Sequence, residues 1–194
     1  TTQLTVDVKK SQSVVYTLTD IETGRVVDPR SVKPMTYASH DTRVDKVKFV
    51  GLELGHKYNF IVKDTKTNKV LDDRFLSTVD LNKKNARIAI MSCMNDGKSA
   101  KDKIWPSAEA ADLDYLFFIG DAVYGDFWIF YGPGYLWGRY VESRKNIPYY
   151  HWKNLKPVIA VWDDHDFGKN NEDGTYKFKD HSYQTFKAFF AQEP

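Results

Sequence analysis

Cysteine is almost absent from this sequence: its 194 residues include a single one, Cys93, so no intrachain disulfide can form. A lone thiol in an oxidising compartment has to be buried or bound to something. Long apolar runs are absent too, and no stretch approaches the roughly 18 residues that a membrane-spanning helix requires. Net charge is close to nil, since 28 basic residues against 26 acidic ones leave +2. That balance argues against nucleic-acid binding by wholesale phosphate neutralisation, and no nucleic-acid-specific signal stands out. The chain opens Thr-Thr, without Met and without a charged-then-apolar leader, as expected of a processed mature protein or of a fragment. Internal repeats and low-complexity tracts are also missing. What remains is an ordinary globular composition, 42% hydrophobic and 28% charged, with enough chain for two small domains and their cores.

The first eighty residues read as β structure. Val14, Tyr16 and Leu18 alternate with polar neighbours, the period of a half-buried strand, and Val44–Val50 does likewise. Lys57–Lys63 is a short apolar strand. Thr23-Gly24, Asp28-Pro29, Lys33-Pro34, Leu54-Gly55 and Thr67-Asn68 mark turns between these runs. Strands at this spacing predict a small antiparallel β-sandwich over residues 1–80. Residues 79–86 are polar and read as a linker.

From residue 86 to 194 the pattern is α/β. Arg87–Ser92, Tyr115–Ile119 and Pro157–Trp162 are uninterrupted apolar strands. Helices are predicted from Pro106, at the first helical position, to Ala111, and over Gly134–Asn146. A third is predicted over Asp180–Gln192, with an aromatic stripe at Tyr183, Phe186, Phe189 and Phe190. Continuous apolar strands separated by helices predict a parallel sheet covered on both faces.

Each of these three strands runs into a polar cluster: Ser92-Cys-Met-Asn-Asp96, Gly120-Asp-Ala-Val-Tyr-Gly-Asp126 and Asp163-Asp-His-Asp-Phe-Gly-Lys-Asn-Asn171. In an open α/β sheet the carboxyl ends of parallel strands line one crevice, where ligands bind. A thiol, several carboxylates, a phenol and an imidazole therefore converge. Carboxylates crowded into one cleft repel each other unless something neutralises them, and metal ions do so.

Here a family comes into view. Gly120-Asp121 followed by Tyr124, then Trp162-Asp-Asp-His-Asp166, resembles the alkaline phosphatase D (PhoD-like) metallophosphoesterases. Ser92-Cys93 and Lys103-Ile-Trp-Pro106 fit the same pattern, and together these blocks cover roughly residues 87–194. Gly51-Leu-Glu-Leu-Gly-His-Lys-Tyr58 resembles the turn-then-tyrosine signature of fibronectin type III-like domains, and Phe75–Thr78 resembles their closing strand. Such a sandwich fits that family's N-terminal domain. The resemblance implies a fibronectin III-like domain followed by the first half of an αββα metallophosphoesterase fold. It further implies a periplasmic, cell-surface or secreted hydrolase of phosphate mono- or diesters that uses iron and calcium, with other divalent metals as the alternative.

Roles follow from the same resemblance. Asp121 would bridge two metal ions, and Tyr124 and Cys93 would bind a ferric ion. Asp164 would bind the second metal, and His165 would sit beside the scissile phosphate. Asn170 or Asn171 would ligate calcium or hold the phosphate. Hard oxygen ligands suit calcium and a thiolate does not, so Cys93 belongs with the iron. The family's members are longer, and their later half supplies further metal ligands; nothing after His165 matches that motif. A C-terminal half or a partner chain is therefore expected to complete the site.

Neighbouring residues read more plainly. Asp163 is expected to orient His165 or the loop, Asp166 to be structural or to stand behind the metal ligands, and Asp96 and Asp126 to be acidic loop residues, with metal contact the lesser reading. His40, His56, His151 and His181 read as structural, and Arg139 and Arg144 as salt-bridge partners rather than phosphate clamps. The aromatic stretch Phe127–Tyr140 either walls a pocket or forms local core. The competing reading is a non-catalytic secreted module that binds a glycan or a protein, or an inactive fragment, its metal site vestigial.

Overall fold

The computed structural model describes residues 1–99, 103–126 and 132–192. Alternating side chains in the first part form seven strands: β1 (Thr2–Lys9), β2 (Val14–Asp20), β3 (Val26–Val27), β4 (Ser31–Thr36), β5 (Thr42–Phe49), β6 (Lys57–Asp64) and β7 (Val70–Ser77). They pair antiparallel in two sheets, ordered β1-β5-β4 and β3-β2-β6-β7. Val6, Val8, Val47 and Phe49 from the first sheet meet Tyr16, Leu18, Tyr58, Phe60, Val62 and Leu76 from the second in one apolar cluster. Tyr58 is fully buried, and its hydroxyl accepts a hydrogen bond from the Glu53 amide at 2.8 Å. That bond pins the turn leading into β6.

The second part begins with β8 (Ile88–Met91), the short helices α1 (Asp96–Ser99) and α2 (Ile104–Ala110), and β9 (Tyr115–Ile119). Next come α3 (Pro133–Asn146), a 3-10 turn at Pro148–His151, and β10 (Val158–Val161). It closes with α4 (Asp164–Phe167) and α5 (Lys179–Phe189). α2 starts two residues before the expected Pro106, which sits inside the first turn, where no intrahelical N–H is required. α5 ends at Phe189 rather than running to Gln192. The side-chain amide of Gln192 instead pairs with both backbone groups of Ala160 on the β10 edge, at 2.8 and 2.6 Å.

β8, β9 and β10 form a parallel sheet with β9 in the middle. One face (Ala89, Met91, Leu116, Phe118, Val158 and Ala160) packs against Trp137, Tyr140, Phe186, Phe189 and Phe190 from α3 and the α5 end. Among the described residues nothing covers the other face, contrary to the expectation of a doubly covered sheet. Ile88, Ile90, Ile119, Ile159 and Val161 lie on it at 46–67% exposure. The register sets Ile90, Phe117 and Ile159 in one lateral row and Ile119 beside Val161 in the next. The cause is topological. Strands laid side by side in chain order, joined by right-handed crossovers, receive every connection on the same face.

The helices that cover the inner face also cover the sandwich. Val44, on the opposite side of β5 from Val47, joins the α3/α5 cluster. Arg144 of α3 pairs with Asp7 at 2.7 Å and with the Thr5 hydroxyl at 2.8 Å. Phe75 of β7 exchanges backbone hydrogen bonds with Lys153 and Leu155, at 2.8 and 2.7 Å. The layers therefore run sheet, sheet, helices, sheet.

Candidate metal centre

The site lies where the three parallel strands end. Cys93 after β8 and Asp121 after β9 both adopt left-handed backbone angles, φ 55° and 53°. Non-glycine residues rarely do so, and such conformations collect at ligand sites. The two turns are tied by hydrogen bonds from the Cys93 amide to the Gly120 carbonyl (3.3 Å) and from the Met94 amide to the Asp121 carbonyl (2.8 Å). Gly120 must be glycine: its φ is 103°, and a Cβ there would lie 2.7 Å from the Asp163 Cβ. That closeness presses the β10 end onto the β9 end.

After β10, Asp163 caps α4 and accepts the Asp164 amide at 3.0 Å. Asp166 returns the bond to the Asp163 amide at 3.1 Å, completing a capping box. Its other oxygen accepts the Val123 amide at 2.9 Å. Fully enclosed, Asp166 is pushed up to about 7 by burial, which those amide hydrogen bonds only partly offset. The cap and third helical positions are thus spent on backbone, and the two residues between them, Asp164 and His165, are left to face the crevice.

There they meet Asp121. One ligand atom from each of Asp121, Asp164 and His165 lies within 4.8 Å of the other two. The Cys93 sulfur is 3.7 Å from Asp121 Oδ2, and the Tyr124 ring lies 4.2 Å from the His165 ring, tilted by 31°. All five residues expected at the metal centre are brought together. Asn170 and Asn171 approach through their backbones, the Asn170 amide donating to Asp126 (2.6 Å) and the Asn171 amide to Asp164 (2.5 Å).

The electrostatics describe a site with a surplus of negative charge. Asp121 is buried, and burial raises its carboxyl pKa; nearby Asp164 and Asp163 add to the effect, while His165 opposes it. Among the described residues its Oδ1 is buried without a hydrogen-bond partner. Burial, with the Asp121, Cys93 and Asp164 charges, pushes the Tyr124 phenol up to about 12. Burial would lower the His165 pKa, but the Asp126 hydrogen bond and the surrounding carboxylates raise it on balance. An orphaned carboxylate oxygen beside a second carboxylate, an imidazole, a thiol and a phenol fits a transition-metal ion.

The remaining candidates are engaged elsewhere. Asp96 pairs with Arg139 and accepts from Asn146 at 3.0 Å. Arg139 also donates to the Tyr124 carbonyl at 3.1 Å, and Arg144 is committed to Asp7. His40 contacts the Gly134 carbonyl, His56 pairs with Asp20, His151 contacts the Lys145 carbonyl, and His181 is exposed. Residues 127–131 of the aromatic stretch lie outside the described residues, while Leu136, Trp137 and Tyr140 are core. Asp126, read from the sequence as an acidic loop residue, is at the site and lies 2.6 Å from His165 Nδ1.

No protein-family model matches the chain, and neither a curated protein nor a solved structure does. Among the described residues no helix is long and apolar enough to cross a membrane.

Proposed function

We propose that this chain carries the first group of ligands of a phosphoesterase metal centre that hydrolyses phosphate mono- or diesters. The observation that carries the reading is the convergence of Cys93, Asp121, Tyr124, Asp164 and His165 around a buried carboxylate oxygen without a partner. Asp121 and Asp164 would hold the ions, with Cys93 and Tyr124 on the transition metal. On the PhoD-like resemblance the thiolate and phenolate would go to ferric iron; calcium suits the carboxylate side. When bound, such ions supply Lewis acidity toward a phosphoryl oxygen and make water a better nucleophile near neutral pH. His165, with a ring nitrogen within 4.8 Å of both carboxylates, is positioned to join the ligands or, beside them, to interact with the phosphate or hand a proton to the leaving oxygen.

The PhoD-like resemblance supports this reading, together with a fibronectin III-like sandwich whose Tyr58–Glu53 bond has the form of a tyrosine corner. On the same resemblance the protein works outside the cytoplasm. The open sheet face supports a second element of the proposal. A further layer, from additional chain or from a partner, covers Ile88, Ile90, Ile119, Ile159 and Val161 and brings the missing ligands to the adjoining strand ends.

The test is metal titration of the metal-free protein with iron and calcium, followed by absorption and by hydrolysis of p-nitrophenyl and bis-p-nitrophenyl phosphate. A visible charge-transfer band that disappears in Tyr124→Phe is the expected result. Absence of binding and of colour with every ion would reject the metal centre and favour the non-catalytic binding module.

A further inference from the structure

Three consecutive residues, Tyr124-Gly125-Asp126, hold His165 on three sides. The Tyr124 ring lies against the imidazole face, 4.2 Å between centroids. The Gly125 amide donates to the His165 carbonyl at 3.0 Å, and a Cβ on Gly125 would stand 2.9 Å from that oxygen. Only glycine lets the loop approach so closely. Asp126 Oδ1 lies 2.6 Å from His165 Nδ1.

The Asp126 carboxylate is itself fixed. Its side chain is only 9% exposed, and a carboxylate so enclosed is costly unless both oxygens are engaged. The second oxygen accepts the Asn170 amide at 2.6 Å, which ties the loop after α4 to the loop after β9. Asp126 is therefore oriented before it meets the imidazole, and His165 can neither flip its ring nor swing away without breaking these contacts.

We propose that Asp126 is the positioning residue of this site: it holds the Nδ1–H of His165, fixing one tautomer and presenting Nε2 to Asp121 and Asp164. The functional consequence rests on the metal-centre reading above, whereas the tautomer claim does not. A carboxylate on one imidazole nitrogen both aims the other nitrogen and makes it a better donor to a cation. Partners of this kind are worth about 10–100-fold in metal affinity or activity.

The experiment follows the His165 ring nitrogens by 15N-edited NMR in the metal-free protein above the imidazole titration, with manganese titrations alongside. Wild type should hold the Nδ1–H tautomer. Asp126→Ala should pass to the Nε2–H form and bind manganese about 10–100-fold more weakly. Asp126→Asn, whose oxygen keeps the Asn170 amide while its NH2 donates to Nδ1, should hold the Nε2–H form with the loop contacts intact and bind manganese as weakly as the alanine variant. A wild-type spectrum dominated by Nε2–H overturns the proposal even if the alanine variant fails to fold. So does weaker metal binding in Asp126→Ala with no change of tautomer, since that marks a merely structural loss. The predicted tautomer change in a protein that binds no metal upholds the positioning role and rejects the metal-centre reading.

Discussion

Asp121→Asn should make the metal-free protein more stable and the metal-loaded protein less so. In the metal-free fold Asp121 is a buried carboxylate with one unpartnered oxygen, facing Asp164 and Asp163. Leaving a buried polar group unsatisfied costs about 1–3 kcal/mol, more when it is charged. The amide keeps the shape and removes the charge, so we expect a gain of about 1 kcal/mol from the low end of that range. For a chain of this length that is a rise in melting temperature of about 2–4 °C. Metal at a hundred times its dissociation constant should stabilise wild type by about 2.7 kcal/mol, or roughly 5–10 °C, and the variant by almost nothing. The assay is calorimetric melting of both proteins in chelator and in excess manganese. Metal-free Asp121→Asn melting several degrees below wild type would make Asp121 a structural anchor and refute the argument.

Tyr58→Phe removes the acceptor for the Glu53 amide without changing ring packing and should cost about 1 kcal/mol, read as a lower urea midpoint at unchanged slope. The Asp20–His56 pair sets a pH window for stability. Burial would raise the Asp20 carboxyl, but hydrogen bonds from His56 and from the Thr23 and Glu22 amides hold it down at about 2. Its contribution is therefore complete above the ordinary aspartate range and is lost as pH falls through that low value. His56 is raised by its bond to Asp20, so its contribution is complete below the ordinary histidine range and is lost as pH rises through the raised value. The pair's own contribution should be fullest from about pH 4 to 6.5, read as the melting-temperature difference between wild type and His56→Gln, which should narrow as pH rises above that window.

Much of this fold is legible in the sequence because its strands are short and cleanly punctuated. Tyr115–Ile119 matches β9 residue for residue, and the other two apolar runs lose only their ends. β1, with Leu4, Val6 and Val8 on one side, carries the same alternation and falls outside the turn-bounded runs. The open sheet face is not legible, since an apolar strand reads identically whether its outer side is covered or bare. At the site, the residue types and their positions after strands announce the cluster. The division of Asp163-Asp-His-Asp166 into capping and crevice-facing residues is also written there, in the spacing of a capping box. The Asp126–His165 pair spans 39 positions between two loops and leaves no periodic trace.

The helix layer formed by α3 and α5 has two clients, and this changes what a boundary in the chain means. The polar stretch at residues 79–86 divides the sequence, but Val44, Asp7 and Thr5 of the sandwich rest on the same helices that back the parallel sheet. Cutting the backbone there would leave the helices with the parallel sheet and take from the sandwich the wall that Val44, Asp7 and Thr5 rest on, rather than release two self-contained modules. The unit of cooperative unfolding is larger than either pattern in the sequence, so damage to the sandwich would be felt at the strand ends that hold Cys93 and Asp121.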